Sequence, residues 1–394
     1  MAVIPSEAPE PGASIHQLFS YPFRVFFLSA AALALLAVPL WLMLFFGGVQ
    51  LPLALPGLFW HQHEMVFGFL SAAIAGFILT AVCVWTGTER SHGVRLCLLW
   101  LVWLAGRLLL LFGAAAPAWL VIGVNLAFLP LVALDVLWRI VRARQWRQLM
   151  LLLVLSLLWL MQCGFLQRMD PRYMAGALVM AMALISIVGG RITPAFTANW
   201  LRMHGGDPAA VSNSERLAMS TVVVMLLLLA SMVLGFSTVA GALALVAALL
   251  VGWRLWHWRG WLVRSVPLLW ILHLSIAWVP LALILLAGQV FLGWPSSAWS
   301  HAAGAGAIGS LILGVMARVC LGHTGRPLDL PRGMVLAFAL INVGALLRVA
   351  GAFDLLPAHP ALGSSALLWM LAYGIFLWRY TGILCRPRAD GKPG

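Results

Sequence analysis

Residues 60–65 of this chain read Trp-His-Gln-His-Glu-Met and open a long apolar run. Two histidines, a glutamate and a methionine therefore stand at the start of a segment that is otherwise apolar. A carboxylate within a membrane is costly and is usually retained for a function. On a regular helix, His61, Glu64 and Met65 share one face, whereas His63 points roughly the other way. The histidines either serve two sites or flank the start of the helix, and the simpler alternative is a set of interfacial polar residues.

The composition indicates a polytopic membrane protein. Hydrophobic residues make up 63% of the 394 residues and charged residues only 9%, whereas roughly a quarter of a soluble domain is charged. A membrane-spanning helix needs ~20 apolar residues. We therefore predict an all-α transmembrane helix bundle of about 12 spans, with tails at 1–22 and 383–394 around a single domain, 23–382. The predicted spans are 23–47, 59–86, 94–112, 117–140, 147–168, 172–198, 214–235, 237–258, 264–292, 297–321, 332–351 and 358–382.

The placement of basic residues predicts the orientation of the bundle. The net charge is +13, and the arginines concentrate in every second predicted loop, as in the stretch 139–147 with its four arginines. This is the positive-inside pattern, which predicts that both termini lie in the cytoplasm. Anionic lipid, and not nucleic acid, is then the natural partner of the basic charge.

An internal repeat links the second and tenth spans at an offset of 238 residues. The matched positions are His63 with His301, Gly68 with Gly306, Gly76 with Gly314 and, after a small insertion, Arg107 with Arg348. The sixth span aligns more weakly, with Arg191 on Arg318. Equivalent helices two, six and ten would form a pseudo-threefold repeat of four-helix units resembling haem–copper oxidases, which is an analogy of fold alone. The repeat predicts that His63 and His301 lie at one depth near the outer face.

Paired membrane histidines suit the axial positions of a b-type haem, and the two matched arginines suit its propionates. His61, Met65 and Glu64 suit copper. The alternative from residue chemistry is that the arginines pair with Glu64 and Asp135 while the histidines line a transport path.

A second group of polar residues falls in the inner half of the bundle. Gly189-Gly190-Arg191 followed by Pro194 predicts a locally broken sixth helix. We expect four groups of that half to come together: Asp135, Arg191, Arg318 and His323. They would form either an ion-pair cluster that joins spans four, six and ten, or a second cofactor or proton-entry site with His323 as ligand or proton carrier.

The stretches WHQHEMVFGF, AIAGFILTAVCVWTG, LAGR, GGRITPAFTANWLR and HAAGAGAIGSLILGVMARVCLGHTGRPL resemble the NnrS family over essentially all spans. The family is known as haem- and copper-containing bacterial inner-membrane proteins linked to denitrification and nitric oxide stress. The resemblance thus implies a redox protein that handles nitric oxide or its products. The positions that match the family motifs are His61, His63, Glu64, Met65, Gly190, Arg191, His301, Arg318 and His323. His273 lies in no matched motif and is a further candidate metal ligand.

Two functional classes stay open from the sequence. One is a membrane oxidoreductase that consumes nitric oxide with electrons from quinol, with Glu64 and His323 as candidate catalytic groups. The other is a non-catalytic haem protein or transporter that protects the cell by binding or moving a metal–nitrosyl species. Haem b is the expected cofactor and copper a second candidate. The chain lacks an obvious set of three copper histidines on spans six and seven, unlike the oxidases.

Overall fold

A computed structural model describes residues 14–392, and these are all-α, with no strand among them. Most of the expected N-terminal tail, 1–13, and the last two residues, 393–394, lie outside the described residues. Twelve helices are long and apolar enough to cross a membrane, which confirms the predicted fold class. We number them α1 Pro22–Phe45, α2 Gly57–Thr86, α3 Gly93–Phe112, α4 Ala118–Ala143, α5 Leu149–Arg168, α6 Pro171–Met203, α7 Glu215–Leu234, α8 Ser237–His257, α9 Pro267–Leu292, α10 Ser296–His323, α11 Met334–Ala352 and α12 Ala358–Cys385.

Helices α2, α6 and α10 form the centre of the bundle. In their most apolar segments 89%, 83% and 72% of the residues are buried, whereas every other helix except α9 buries less than half. Helix α1 packs between α2 and α12. The central position of α2, α6 and α10 fits the predicted grouping of helices two, six and ten.

Helices α2 and α10 share an irregularity that supports their match in sequence. Each begins as an α-helix, widens into a π-helix and returns to α-helix. The π segments are Glu64–Leu70 and Ala302–Gly309, and their first residues differ by the same 238 positions. Helix α6 is α-helical throughout, so it shares the central position but not this signature. The threefold form of the repeat therefore stays a prediction.

Side chains of neighbouring helices bond to carbonyls in the π segments. Trp103 Nε1 of α3 donates to the Gly68 carbonyl at 3.0 Å, and the Tyr373 hydroxyl of α12 donates to the Gly309 carbonyl at 2.9 Å. Backbone groups in a membrane need such internal partners because no water can replace them. The neighbours thus stabilise the π segments on which the site is built.

The expectation of a broken α6 is wrong, because the helix runs unbroken through Pro194. Proline has no N–H, so the carbonyl four residues before it loses its helical donor. Asn213 Nδ2 donates to that carbonyl, of Gly190, at 2.8 Å. Gly190 has a packing role as well, because the Arg254 guanidinium occupies the place a Cβ would take. One side-chain amide thus keeps a proline-containing helix regular.

Both described chain ends lie at the end of the bundle that carries the arginine-rich loops, which we call the basic end. The Ser14 amide donates to the Cys385 carbonyl at 3.0 Å, and Arg24 caps the end of α12 through the Leu384 and Arg386 carbonyls at 2.6 and 2.8 Å. Arg24 is fully buried, although the sequence of α1 drew no attention to it. The starts of α2 and α10 lie at the other, opposite end.

Candidate functional site

A cavity of about 320 Å³ opens at the opposite end between α1, α2, α6, α10, α11 and α12. Its walls are mainly apolar, with Trp41 and Trp369 among them. The side chains that bear chemistry are His61 and Met65 from α2, His301 from α10 and Arg348 from α11. Ligand pockets typically combine such apolar walls with a few convergent polar groups. The cavity therefore has the size and lining of a cofactor or ligand site.

His61 presents an unpaired nitrogen in this cavity. Its ring stacks on Trp41, with ring centroids 4.9 Å apart and planes at 15°. Its Nδ1 atom is buried and has no hydrogen-bond partner within the described chain. A buried polar atom without a partner is costly and calls for a ligand or a bound group to explain it. The Trp41 face fixes the orientation of the imidazole.

His301 is oriented as a ligating histidine usually is. Its Nδ1 lies 2.7 Å from the Ser297 carbonyl, so Nδ1 carries the proton and donates it there. The lone pair is then on Nε2, at the other side of the ring. Metal-bound histidines commonly donate their other N–H to a carbonyl in this way. The chemistry of His301 therefore fits an axial position on haem iron.

Arg348 places an uncompensated cation beside the two histidines. It forms no hydrogen bond or ion pair with any residue that the structure describes, and its charge acts on both His61 and His301. A charged group at this depth is expensive without a partner. The carboxylates of a haem, its propionates, are groups that arginine binds well. The donor set of the cavity thus fits a haem.

His63 lies away from this cavity, within a buried polar network of α2, α3, α4 and α5. Gln162 donates to His63 Nε2 at 3.1 Å, and His63 Nδ1 lies 3.4 Å from Glu64. Arg107 pairs with Glu64 at 2.8 Å and donates to Asn125 at 2.7 Å. Both nitrogens of His63 are therefore engaged by side chains, and all five residues are buried.

The structure does not bring His63 and His301 to one site; His61 shares the cavity with His301 instead, and the role of His63 as a haem ligand stays a prediction. The two copies of the repeat have diverged. His63 and Arg107 are tied to each other through Glu64, whereas His301 and Arg348 face a cavity. The sequence offset predicts equal depth, but the direction in which a side chain points depends on the place of its helix in the bundle.

A family model described as NnrS protein matches residues 17–388, nearly the whole chain. The chain belongs to the NnrS family. This membership supports the conclusion that the chain is a membrane protein with a function related to nitric oxide. No curated protein matches the chain.

The four polar residues that the sequence placed together at the basic end, Asp135, Arg191, Arg318 and His323, do not form the expected cluster. Asp135 pairs with Arg139 in its own helix at 2.8 Å and accepts from Ser91 at 3.0 Å. Arg191 is exposed and donates to Gln148 at 2.9 Å. The ion-pair interpretation of this group is therefore wrong, because the acid is already paired within α4.

The other two members of that group are held by aromatic rings. The Arg318 guanidinium lies 4.0 Å from the ring centroid of Phe196, in a cation–π contact. The His323 ring packs beside Tyr21 and Phe23, with centroids 6.1 and 5.6 Å away. Neither residue reaches the cavity at the opposite end, so the structure does not bring His323 together with His301.

His273 has a packing role in this NnrS-family chain. Its Nε2 bonds to the Thr197 hydroxyl at 2.9 Å, and that hydroxyl donates to the Thr193 carbonyl at 3.0 Å. Gly260 packs directly on the ring, where a Cβ would meet the imidazole at 2.7 Å. The contacts link α6, α9 and the turn before α9.

The predicted copper set is not assembled in the structure. His61 and Met65 line the cavity, whereas Glu64 turns into the buried network with Arg107. Across residues 14–392, no three His, Cys, Asp or Glu side chains are grouped as a metal ion would need. Glu64 and Met65 are the first two residues of the π segment, and of these two Met65 faces the cavity whereas Glu64 does not.

Proposed function

We propose that this protein binds haem b in the cavity at the opposite end, where His61 and His301 would hold its iron, and acts in nitric oxide metabolism or resistance. The observation that carries the proposal is that two imidazoles from the central helices α2 and α10 share one cavity while each keeps a nitrogen without a partner among residues 14–392. Arg348 would hold a propionate. A haem supplies an iron that binds nitric oxide and exchanges electrons.

The chain's own residues prepare the site. The Ser297 carbonyl holds the Nδ1 proton of His301 and so directs the Nε2 lone pair into the cavity. Stacking on Trp41 restricts rotation of the His61 ring. The apolar walls exclude water, which strengthens electrostatic interactions with Arg348. These features favour tight binding of a flat, apolar group that carries carboxylates at its edge.

A binding role is favoured over reduction by the chemistry of the lining. Reduction of nitric oxide consumes protons, yet the described lining of the cavity contains no Asp or Glu. Glu64 and His323, the two candidates from sequence, lie elsewhere. Protection by capture of nitric oxide or a nitrosyl species is therefore our first proposal. A quinol-dependent oxidoreductase is the second, and the structure favours it less.

The arginine-rich loops support a bacterial inner-membrane location with the basic end and both termini in the cytoplasm. The cavity would then lie near the periplasmic face. A membrane location also gives access to anionic lipid and to quinol.

The test adds haem to the full-length protein in detergent and measures the Soret band, whose appearance reports binding. We expect wild-type protein to bind haem and His301→Ala to lose it. His273→Ala is the matched control, because it removes a half-buried histidine of the same bundle outside the cavity. If wild-type protein gains no Soret band when haem is added, the proposal fails. Anaerobic nitric oxide electrodes with a quinol donor then separate the two roles, since only an oxidoreductase consumes nitric oxide repeatedly.

A further inference from the structure

A second cavity, of about 90 Å³, lies deeper in the bundle between α1, α2, α5, α6 and α10. Every side chain that lines it is apolar, including Phe27, Leu151, Leu184 and Met316. An apolar cavity of this kind stays dry, because water would find no polar partner there. The space is smaller than the ~150 Å³ apolar cavity known to hold benzene or xenon. Its size and lining suit a diatomic or monatomic gas.

This gas-sized cavity is partly bounded by partly exposed side chains and shares one residue with the histidine cavity. It is partly open, and the side chains of Phe77, Val188 and Val315 in its wall are partly exposed. Ile308, in the π segment of α10, lines both cavities. Ile308 is therefore common to the walls of the apolar cavity and of the cavity that holds His61 and His301.

We propose that the second cavity collects nitric oxide from the hydrocarbon of the membrane and delivers it past Ile308 to the histidine cavity. Nitric oxide is small and nearly apolar, so it partitions into an apolar space at no cost in hydrogen bonds. Water and ions cannot follow, because the lining offers them no partner. By this route, nitric oxide dissolved in the bilayer could reach the histidine cavity at the opposite end of the bundle. The delivery step rests on the proposed haem site, whereas gas binding in the cavity does not.

The first experiment uses xenon as the probe, with the full-length protein in lipid nanodiscs. We expect bound xenon beside Ile308 and Leu184 in a structure determined under xenon pressure. Val315→Phe fills the cavity from its partly exposed wall and should abolish the xenon density. Val319→Phe makes the same change one turn later on α10, outside the cavity, and should leave xenon bound. Absence of xenon from the wild-type cavity, or a lipid acyl chain in its place, would overturn the proposal.

The second experiment measures the association rate of nitric oxide with the haem-loaded protein by stopped-flow absorbance. Val315→Phe should slow association several-fold relative to Val319→Phe, and Ile308→Ala, which removes the barrier between the cavities, should accelerate it. Equal rates in all three variants would refute delivery by this route even if xenon binds. If the protein takes up no haem, the proposed function fails while the xenon result still decides whether the cavity is a gas site.

Discussion

Replacing Arg107 with methionine removes the arginine that, among the described residues, supplies the cation of the buried network around Glu64. Arg107 pairs with Glu64 at 2.8 Å and donates to Asn125 at 2.7 Å, and both Arg107 and Glu64 are at most 9% exposed. Without the guanidinium, a buried carboxylate keeps only the His63 imidazole at 3.4 Å. Breaking a buried ion pair from one side typically costs about 3–5 kcal/mol. The lost bond to Asn125 leaves an amide oxygen without a donor and places the expected loss towards the upper end of that range.

The assay is the free energy of unfolding from SDS titration of the purified protein. The double variant Arg107→Met with Glu64→Gln removes both charges, and it should recover most of the stability, to within about 2 kcal/mol of wild type, since neutral replacement of a buried pair is often tolerated. Arg168→Met is the control, because that arginine is exposed at the opposite end and bonds only to the Tyr173 hydroxyl. Its cost should stay within about 0.5 kcal/mol.

The Soret spectrum of Arg107→Met distinguishes the structural role in the Glu64 network from the role predicted by the sequence, which is binding a haem propionate. If Arg107 serves the network, the variant loses stability while each folded molecule keeps the wild-type Soret band. If Arg107→Met lowers the free energy of unfolding by less than about 1 kcal/mol, the ion-pair reasoning is refuted, because removing the partner of a buried carboxylate should cost more than that. Loss of haem at unchanged stability would instead place Arg107 at the cofactor.

Three further outcomes are expected. Asn213→Ala should cost about 1–3 kcal/mol in SDS titration, because the carbonyl freed by Pro194 loses its donor, and a change below a few tenths would contradict this. His323→Ala should leave the Soret band and nitric oxide binding unchanged, because its ring packs far from the cavity, and an altered spectrum would show otherwise. Arg388 lowers the pKa of Asp390 from 3.8 to about 2, so the pairing is fully present above pH 3.8 and is lost as the pH falls through about 2. Proteolysis of the C-terminal tail should therefore rise only below pH 4, and release of the tail near pH 6 would refute the pairing.

The fold could be predicted from the sequence because hydrocarbon length and charge placement act locally. Each predicted span needed only its own apolar residues, and the twelve helices begin and end close to the predicted positions. The unbroken α6 could not be predicted, because the donor to the Gly190 carbonyl is Asn213, which comes after the end of the helix. A proline signals a lost hydrogen bond but does not show whether another side chain replaces it.

The candidate site could be predicted in part. The motif around residues 60–65, His301 and Arg348 were all found, and the structure brings His61, Met65, His301 and Arg348 to one cavity. The directions in which these side chains face could not be predicted, because they depend on which helices pack against α2 and α10. A regular-helix assumption placed Glu64 with His61, whereas the structure places it with Arg107.

Buried partners from other helices were the harder part. Gln162 and Asn125 stand alone in apolar runs, and each was visible in the sequence as a single polar residue. Their bonds to His63 and Arg107 depend on which helices are neighbours, and hydropathy does not contain that information. Arg24 was missed for the same reason, since its acceptors lie at the far end of the chain in α12.

Haem titration of His61→Ala beside His63→Ala tests the central claim most directly, because these histidines are two residues apart and face different surroundings. The measurement is the Soret absorbance per folded molecule of full-length protein with added haem. We predict that His61→Ala loses the wild-type Soret band, whereas His63→Ala keeps it and is only less stable. The reverse result, with haem lost in His63→Ala and retained in His61→Ala, would contradict the assignment of the cavity as the haem site.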